Sequence, residues 1–573
     1  MARRRARRQG PEADLRAPHP PFTGASPNLI DRRTALGLVG GAGALIALTG
    51  CGGGGDDSGT STSTTRPGVV DVRTPVEPVG MPQLEAEVRD LHLRMVAAPA
   101  TAEIVAGTQT DVLRFEAQVI DGDPASVTPG GSYLGPTLHV RTGQRVRVTF
   151  ENQLSQESIV HWHGLVVPQE QDGQPTDAVG PGETYEYDFT VVNEPGTYWY
   201  HPHPHHVTGE QVYRGLAGLL IVHGVEPEPA LPTGARDLAF VLQDRTIGDD
   251  GQLVYATSRH DAMAGFVGET LVTNGVAGLA TTVDRAPYRL RFLNGANSRT
   301  QVLTLSSGEP LQVVATDGRL LPDLVSVPGL VLTPAQRSDV WIDFSAYEPG
   351  QRIDLLAADA FVEVPGMMGG GGMGGGMGGG MGGGMGGGMG GSGGAGAALE
   401  LDPLVAMTFV VGDGPAQPGA VPPRLDGRVT VDPSGAVNRD APRVFDLTTR
   451  MASHWINGTQ WEGRTASDRE TVVFGTTEIW EFVNLSPMAH PMHLHGNAFH
   501  VVDRSWDDDA GEASWAVIAD GVVEDGLRDA VLVWPGQRVR IAVSFDAFRG
   551  YFLYHCHILE HEDGGMMRNF LVT

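Results

Sequence analysis

A threefold internal repeat is the feature that most constrains how this chain can fold. Three strand-like stretches end alike, at Phe150-Glu151-Asn152, Phe292-Leu293-Asn294 and Phe482-Val483-Asn484. Three others begin alike, at Pro181-Gly182-Glu183, Pro334-Ala335-Gln336 and Pro535-Gly536-Gln537. Such self-similarity indicates one structural unit copied along the chain. From Leu91 onward short alternating apolar runs are separated by turn residues, which predicts that each unit is an all-β sandwich or barrel. The predicted β domains cover residues 86–225, 226–415 and 416–573.

Four His-x-His pairs occupy matching positions in the first and last repeats. Each pair begins nine residues after the repeated asparagine, or five residues after Gly196 or Gly550. The histidines are His161, His163, His201 and His203 in the first repeat, and His493, His495, His555 and His557 in the last. The middle repeat has Leu303, Leu305, Leu355 and Ala357 at these offsets. Since residues i and i+2 of a strand share a face, each pair can present two imidazoles to one point. The eight histidines predict a multinuclear metal site between the outer domains.

The last of these pairs encloses a cysteine, Cys556. Because successive side chains of a strand point to opposite faces, Cys556 is predicted to face away from His555 and His557. One strand could therefore contact two metal centres and join them by a short covalent path. The matching strand of the first repeat has Pro202 in place of the cysteine, so only the last domain can supply a thiolate.

The residues around Cys556 indicate which metal is bound. Imidazoles alone would also suit zinc. Cys556 together with His490, His561 and Met566 gives two histidines, a thiolate and a weak axial thioether, which is the blue-copper pattern. The sequence therefore predicts copper.

At these motifs the chain resembles the three-domain multicopper oxidases, the family of laccases and cuprous oxidases. The resemblance covers roughly residues 90–573. Its motifs are His161-Trp162-His163-Gly164, Trp199-Tyr200-His201-Pro202-His203, His490-Pro491-Met492-His493-Leu494-His495-Gly496, and His555-Cys556-His557 through Met566. The resemblance implies three cupredoxin-like Greek-key β-sandwich domains that hold four copper ions.

The resemblance also implies a role for each residue. His490, Cys556 and His561 would bind the type 1 copper, with Met566 axial. The remaining ligands would be His161 and His493 for the type 2 copper, His163, His201 and His557 for one type 3 copper, and His203, His495 and His555 for the other. The implied reaction is four one-electron oxidations at the blue copper, coupled to reduction of dioxygen to two waters.

Two carboxylates match acidic residues that the family has near the cluster. They are Asp172, nine residues after His163, and Glu562, next to His561. Reduction of dioxygen at a buried site needs protons, so carboxylates on a proton route are expected there; the alternative for each is a surface carboxylate. His205 and His206 match no ligand position and are expected to contact ligands or to lie exposed. A structural role is expected for His92, His139, His223, His260 and His454.

A segment of almost pure glycine and methionine, residues 366–391, interrupts the middle domain. Its regularly spaced methionines are Met373, Met377, Met381, Met385 and Met389. So much glycine forbids a stable helix, and the flanking strand-like stretches indicate a long hairpin insertion. It is either a low-complexity loop or a set of thioethers that gathers Cu(I). Cuprous oxidases carry Met-rich segments over the blue copper, but usually with histidine and, in the best-known members, in the third domain.

A second substrate candidate is Met488, which matches a position where cuprous oxidases bind substrate copper. The acidic partner of that position is replaced here by Ser486.

The N-terminus is predicted to be an export signal. Residues 1–50 contain the paired arginines Arg32-Arg33 and a short apolar stretch ending in Leu48-Thr49-Gly50-Cys51. They resemble a twin-arginine signal with a lipoprotein cleavage box, in which Cys51 is acylated; a plain secretory signal is the alternative. Residues 51–85 are rich in Gly, Ser, Thr and Pro and indicate a flexible tether. The protein is thus expected in the cell envelope, in the periplasm or on the outer face of the membrane, touching the membrane only through a lipid anchor.

The charge balance limits the partners further. A net charge of −28 disfavours nucleic acid and indicates a solvated acidic surface or an attraction for cationic substrates. The leading hypothesis is a monomeric cuprous or metal oxidase that acts in copper tolerance. The alternative is a laccase-like oxidase of phenols and aromatic amines. The intact ligand set opposes a non-catalytic scaffold, and the three repeats disfavour a two-domain nitrite reductase.

Overall fold

The computed structural model describes residues 73–224, 231–255, 258–360, 403–420, 424–425, 431–450, 453–507 and 509–573. Within these residues the strands form six sheets, two for each sequence repeat. Each repeat packs its two sheets around a buried apolar core of its own. The prediction of an all-β fold with three sandwiches is confirmed.

The first sandwich contains nine strands, described here with their bounds. They are β1 (Leu91–Ala102), β2 (Thr110–Asp121), β3 (Val127–Thr128), β4 (Thr137–Arg141), β5 (Arg145–Asn152), β6 (Val160–His163), β7 (Thr184–Thr190), β8 (Gly196–Pro202) and β9 (Gly218–His223). Their order is β2-β1-β5-β7 in one sheet and β3-β4-β9-β8-β6 in the other. Strands β6 and β8, which carry the predicted ligands, are therefore neighbours at one edge.

The middle sandwich is the largest. Its strands are β10 (Asp237–Ile247), β11 (Leu253–Val254), β12 (Thr270–Thr273), β13 (Val276–Ala277), β14 (Ala280–Val283), β15 (Pro287–Asn294), β16 (Gln301–Leu305), β17 (Leu311–Thr316), β18 (Arg319–Val327), β19 (Leu330–Leu332), β20 (Arg337–Asp343), β21 (Arg352–Asp359) and β22 (Leu404–Val411). The orders are β13-β12-β10-β15-β20-β17-β18, with β11 on β10, and β14-β22-β21-β16-β19. The Met/Gly insertion, which lies outside the described residues, separates the antiparallel partners β21 and β22.

The third sandwich repeats the plan of the first. Its strands are β23 (Arg443–Arg450), β24 (Ser453–Ile456), β25 (Thr471–Val472), β26 (Thr477–Asn484), β27 (His490–Leu494), β28 (Phe499–Trp506), β29 (Ala530–Val533), β30 (Gln537–Ser544), β31 (Gly550–Cys556) and β32 (Met567–Val572). The orders are β24-β23-β26-β30-β28 and β25-β32-β31-β27-β29. Here β27 and β31 are the neighbours that carry the predicted ligands.

Helices are few and short. The described α-helices are α1 (Thr208–Tyr213), α2 (Arg259–Ala264), α3 (Asp509–Trp515) and α4 (Leu559–Asp563). A search of the described residues for a helix long and apolar enough to cross a membrane finds none.

The repeated asparagine has the same structural task in all three sandwiches. The side-chain amide of Asn152 donates to the carbonyls of Gln156 and Val179, and its oxygen accepts from the Leu154 amide. Asn294 and Asn484 make the equivalent three bonds in their own domains. Each asparagine thus fixes the loop that leads to the next strand, which carries the first His-x-His pair in the outer domains. The asparagine recurs in the sequence because the same loop is anchored by the same three hydrogen bonds in each domain.

Part of the predicted tether lies against the middle domain. Val76 bridges Thr281 in parallel, and Gly80 bridges Leu238 in antiparallel fashion. The guanidinium of Arg73 donates to the carbonyl of Ile104. The described part of the tether, from Arg73 on, thus contacts backbone groups at the edges of two middle-domain sheets.

Candidate metal centres

Two pairs of neighbouring strands bring the eight predicted histidines together. In the first sandwich His161 on β6 lies opposite His201 on β8, and in the third His493 on β27 lies opposite His555 on β31. All eight imidazoles are buried. They meet where the first and third domains face each other, as the alternation of side chains along each strand predicts.

The rings of the two domains interleave. His161 stacks on His495 and His163 stacks on His493, in each case with ring centroids 3.8 Å apart. Each stacked pair joins the first histidine of one domain to the second histidine of the other. The centre is therefore built across the domain boundary rather than inside either domain.

Most of these imidazoles use one ring nitrogen for a protein contact and leave the other without a hydrogen-bond partner in the described structure. His161 Nδ1 donates to the Asp172 carbonyl, His493 Nδ1 to the Asp529 carbonyl, and His201 Nδ1 to the Pro202 carbonyl. The unbonded buried atoms are Nε2 of His161, His201 and His493, Nδ1 of His163 and His203, and both ring nitrogens of His557. Metal-binding histidines characteristically anchor one nitrogen and offer the other to the metal. The residues therefore fit a bound metal.

A second set of nitrogens converges beside them. The Nε2 atoms of His203 and His495 lie 3.4 Å and 3.1 Å from Nε2 of His555. Such close nitrogens, in a buried setting, mark a position for one shared ion. Ligand atoms within 4.8 Å of one another also group as His161-His493-His495 and His161-His163-His201. His557 lies near the second of these groups, with its ring 5.0 Å from His163 and 5.3 Å from His201.

Burial keeps these imidazoles neutral. It is the largest cause of the lowered pKa at His163, His201, His203, His493, His495, His555 and His557. Neighbouring imidazoles add to the effect, because a second positive charge nearby is unfavourable. A neutral imidazole has the lone pair that a metal needs.

Asp172, predicted from its spacing, lies at the histidine cluster. It ends a 3₁₀ turn, Gln169–Gln171, and is fully buried. Its backbone carbonyl accepts from His161, and its Oδ2 accepts from His495 Nδ1 at 2.9 Å and from Gln174 at 3.2 Å. The residue thus holds one histidine of each outer domain.

Glu562 also lies where the sequence predicts. Helix α4 places its carboxylate 3.3 Å from Nδ1 of His203 and 3.3 Å from Nδ1 of His555. Burial, reinforced by Asp563, raises the pKa of this carboxyl well above its usual range. A buried carboxyl in contact with two ligand rings can hold a proton next to the cluster.

Asp529 is a residue of the site that the sequence did not reveal. Its carbonyl accepts from His493 Nδ1 at 2.7 Å, and its Oδ1 accepts from His163 Nε2 at 3.1 Å. It mirrors Asp172, since each aspartate binds a histidine of its own domain through the backbone and a histidine of the other domain through the side chain. Its only signal in the sequence is a charged pair, Arg528-Asp529, directly before the apolar strand β29.

A separate centre lies inside the third domain. The Sγ of Cys556 is 3.5 Å from Nδ1 of His490 and 3.5 Å from Nδ1 of His561, and all three are buried. Met566 lies in the same buried cluster as Cys556. The four predicted ligands are therefore together, with a donor set of imidazole, thiolate and thioether that suits copper.

The outer nitrogens of this second centre are also anchored. His490 Nε2 is 2.8 Å from the Ser486 hydroxyl, and His561 Nε2 donates to the Met263 carbonyl of helix α2 at 3.0 Å. His454 was expected only to be structural; its ring stacks on His561 with centroids 3.7 Å apart. Met263 and His454 escaped prediction as neighbours of this centre because no spacing connects them to it.

The remaining predicted residues lie as follows. Met488 is half-buried two residues before His490, and its carbonyl accepts from Asn484. His205 packs against Trp461, and His206 Nδ1 donates to the Asp563 carbonyl at 3.0 Å. The residues that lie outside the described part of the chain are Cys51, Met373, Met377, Met381, Met385 and Met389.

Comparison with known proteins agrees with this geometry. Two family models, both described as multicopper oxidase, match residues 115–227 and 436–573. The multicopper oxidase mco of Staphylococcus haemolyticus is 28% identical over 77% of this chain and 83% of its own length. A laccase of Bacillus subtilis is 29% identical, over 77% of this chain and 89% of its own. The crystal structure of the McoA multicopper oxidase 2F4 variant from Aquifex aeolicus is 30% identical, with a TM-score of 0.66 over 88% of this chain and 99% of that one.

Proposed function

Because this chain belongs to the multicopper oxidase family, whose members are oxidoreductases that use oxygen, we propose that it couples four one-electron oxidations of a donor to the reduction of dioxygen to two waters. One observation carries this proposal: Cys556 lies at the mononuclear centre while its neighbours His555 and His557 lie at the histidine cluster. The backbone between them is the shortest covalent route from one centre to the other.

We propose the following ligands. His490, Cys556, His561 and Met566 would hold a type 1 copper, and the histidine cluster would hold three coppers. The cluster ligands are His161 and His493 for type 2, His163, His201 and His557 for one type 3, and His203, His495 and His555 for the other. The anchored and unbonded ring nitrogens support this assignment. Copper, when bound, supplies the one-electron redox chemistry at both centres.

The protein's own groups supply protons and exclude water. Asp172 and Glu562 are buried carboxylates in contact with cluster histidines, and we propose that they hold and pass protons at Oδ1 and at Oε1 or Oε2. Oδ1 of Asp172 accepts no hydrogen bond within the described structure, which leaves it available for a proton. The buried setting restricts solvent access, so protons reach the site through fixed groups rather than bulk water.

Cu(I) is the donor that we propose. Ala360, the last described residue before the Met/Gly insertion, belongs to the same buried apolar cluster as Ala489, the neighbour of His490. The chain that leads into the methionines therefore leaves the described middle domain from an apolar cluster that it shares with the third domain. Thioethers are soft ligands that suit Cu(I), and Met488 lies two residues before His490 in the chain. The proposed role in the cell is copper tolerance.

A paired kinetic experiment tests the donor. Cu(I) and a phenol are compared as substrates of the full chain, of a chain lacking Gly366–Gly391, and of a control of full length. The control replaces Met373, Met377, Met381, Met385 and Met389 by leucine, so that length and bulk stay while these five thioethers are lost. Both variants should lose Cu(I) turnover and keep phenol turnover. Unchanged Cu(I) turnover in both would contradict the proposal.

A second candidate donor is a phenol or aromatic amine. The observation in its favour is the similarity to the Bacillus subtilis laccase. On that reading, phenol turnover is high in the full chain without added copper and does not respond to any change in the insertion. The same experiment therefore separates the two donors.

We further propose that the protein is exported and held at the cell envelope by acylated Cys51. The sequence Leu48-Thr49-Gly50-Cys51 supports this. In a bacterial host, Cys51→Ala should move the protein from the membrane pellet to the soluble fraction after export. Equal partition of the variant and the parent would contradict the anchor.

A further inference from the structure

The middle domain lacks the His-x-His pairs of its neighbours, but its Arg337 contacts Asp529 at the edge of the histidine cluster. Arg337 opens strand β20 and is fully buried. Its Nη1 donates to Asp529 Oδ1 at 2.7 Å, and its Nη2 to Asp529 Oδ2 at 2.6 Å. This parallel, two-point contact fixes both the position and the plane of the carboxylate.

Arg337 is itself held from two other directions. Its Nε donates to the Thr197 carbonyl of the first domain at 3.0 Å, and its Nη1 donates to the Ala335 carbonyl at 3.1 Å. With every nitrogen engaged, the guanidinium has no freedom to turn. The carboxylate that it holds then contacts His163 by its side chain and His493 by its backbone.

We infer that Arg337 is a positioning residue of the trinuclear centre, acting from the middle domain through Asp529 on His163 and His493. These two histidines belong to different outer domains, so one arginine sets the relative placement of ligands from both. This role of Arg337 rests on the copper cluster proposed above and is the same for either donor.

The opposite side of the cluster shows what is special about this arrangement. Asp172 makes the mirror-image contacts to His161 and His495, but its side-chain partner is the neutral amide of Gln174. Only Asp529 has a bidentate arginine behind it. The two aspartates make equivalent contacts to histidines, but the side chain of Asp172 is held by an amide and that of Asp529 by a guanidinium.

The backbone beside His163 is shaped around the same pair. Gly164 has φ +83°, and a Cβ there would lie 2.5 Å from Asp529 Oδ2 and 2.9 Å from Arg337 Nη2. A side chain at this position would therefore push the carboxylate and the guanidinium out of place. The glycine after the His-Trp-His motif leaves room for the arginine–aspartate pair.

The test compares Arg337→Lys with Arg291→Lys in the copper-loaded protein. Arg291 is a matched control: it is a buried middle-domain arginine, bidentate to Asp237 at 2.6 Å and 2.7 Å, and it reaches Thr197 of the first domain at 3.0 Å without touching a cluster histidine. Lysine keeps the charge but loses the planar fork. In R337K the EPR hyperfine splitting of the type 2 copper should change, and copper should be lost to a chelator about 10- to 100-fold faster. The blue-copper EPR signal should stay as in the parent, and R291K should keep both signals.

A second variant covers the case in which R337K does not fold. Asp529→Asn keeps the size of the side chain and breaks the charge-assisted fork, so it should reproduce the altered type 2 signal. If R337K or D529N folds with the parent's type 2 signal and copper retention, while its melting temperature falls as it does in R291K, the arginine is merely structural and the inference fails.

Discussion

Cys556 links the two centres. Its side chain lies at the mononuclear centre, and its neighbours in the sequence, His555 and His557, lie at the histidine cluster. Cys556→Ser should abolish the blue colour and substrate oxidation, since serine cannot supply the thiolate that joins donor and cluster. The cluster ligands are untouched, so the type 2 EPR signal should survive. Absorption and EPR spectra of the purified variant check both points. Full oxidase activity in this variant would refute the assigned electron route.

His139 permits a prediction about acid stability far from the metal centres. It is buried against His223 and Thr128, and burial, followed by His223 and Arg291, lowers its pKa from the ordinary 6.5 to about 3. Between pH 6.5 and about pH 3, His139 is therefore protonated in the unfolded chain and neutral in the folded protein. Stability attributable to His139 is present above pH 6.5 and is lost on acidification, by up to about 1.4 kcal/mol per pH unit.

His139→Gln removes this effect. In urea unfolding at a series of pH values, the stability difference between parent and variant should shrink as the pH falls from 6.5 toward 3. Parallel curves for the two proteins would show that this histidine does not contribute to acid sensitivity.

Single residues differ in how far the sequence reveals them. The histidines and Cys556 were predictable because a metal site built from strands requires spacing by two and repeats with the domain. Asp529 and Arg337 were not, because each acts through a partner distant in the sequence, and a lone polar residue before a strand has no distinctive pattern.

The middle domain has the same pair of strands that carries the histidines in the outer domains, but its side chains there are apolar. Leu303 and Leu305 on β16 lie opposite Ala357 and Leu355 on β21. All four are buried in the domain core. Where the outer domains collect imidazoles, the same strand pair here collects apolar side chains, so the pair serves packing alone.

This difference predicts a purely structural effect for Leu355→Ala. Loss of a fully buried leucine should lower the free energy of unfolding by about 2–5 kcal/mol and leave the type 2 EPR signal as it is. Val405→Ala, on the exposed face of the neighbouring strand β22, is the control and should be nearly silent. Calorimetry gives the stability; an altered EPR signal in L355A would show that the middle core reaches the cluster.

The strands of all three domains could be anticipated from alternation and turn residues, and the insertion between β21 and β22 from its composition. The pairing of strands could not be, because register depends on contacts between residues far apart in the chain. The buried apolar cluster that contains both Ala360 and Ala489 is a result of such long-range contacts. This shared cluster is the reason that the proposal connects the middle-domain insertion with the third-domain centre.

At the scale of the whole molecule, the two centres should affect stability differently. The cluster histidines come from two domains, whereas the mononuclear ligands all come from the third. Removing all copper with a chelator and reductant should therefore lower the melting temperature more than removing only the mononuclear copper, as in Cys556→Ser, because bound metal stabilises whatever it joins. Equal shifts in calorimetry would mean that the cluster does not bind the domains together.

The crossed hydrogen bonds of the two aspartates have a consequence for modular engineering. Asp172 accepts a hydrogen bond from His495, and Asp529 accepts one from His163. Each outer domain therefore supplies a carboxylate that orients a histidine of the other. A chimera that takes one outer domain from a relative combines an aspartate of one protein with a histidine of another in both of these hydrogen bonds. The outer domains must be transplanted as a couple, and a replacement middle domain must supply both the arginine of β20 and the carbonyl of helix α2 that accepts from His561.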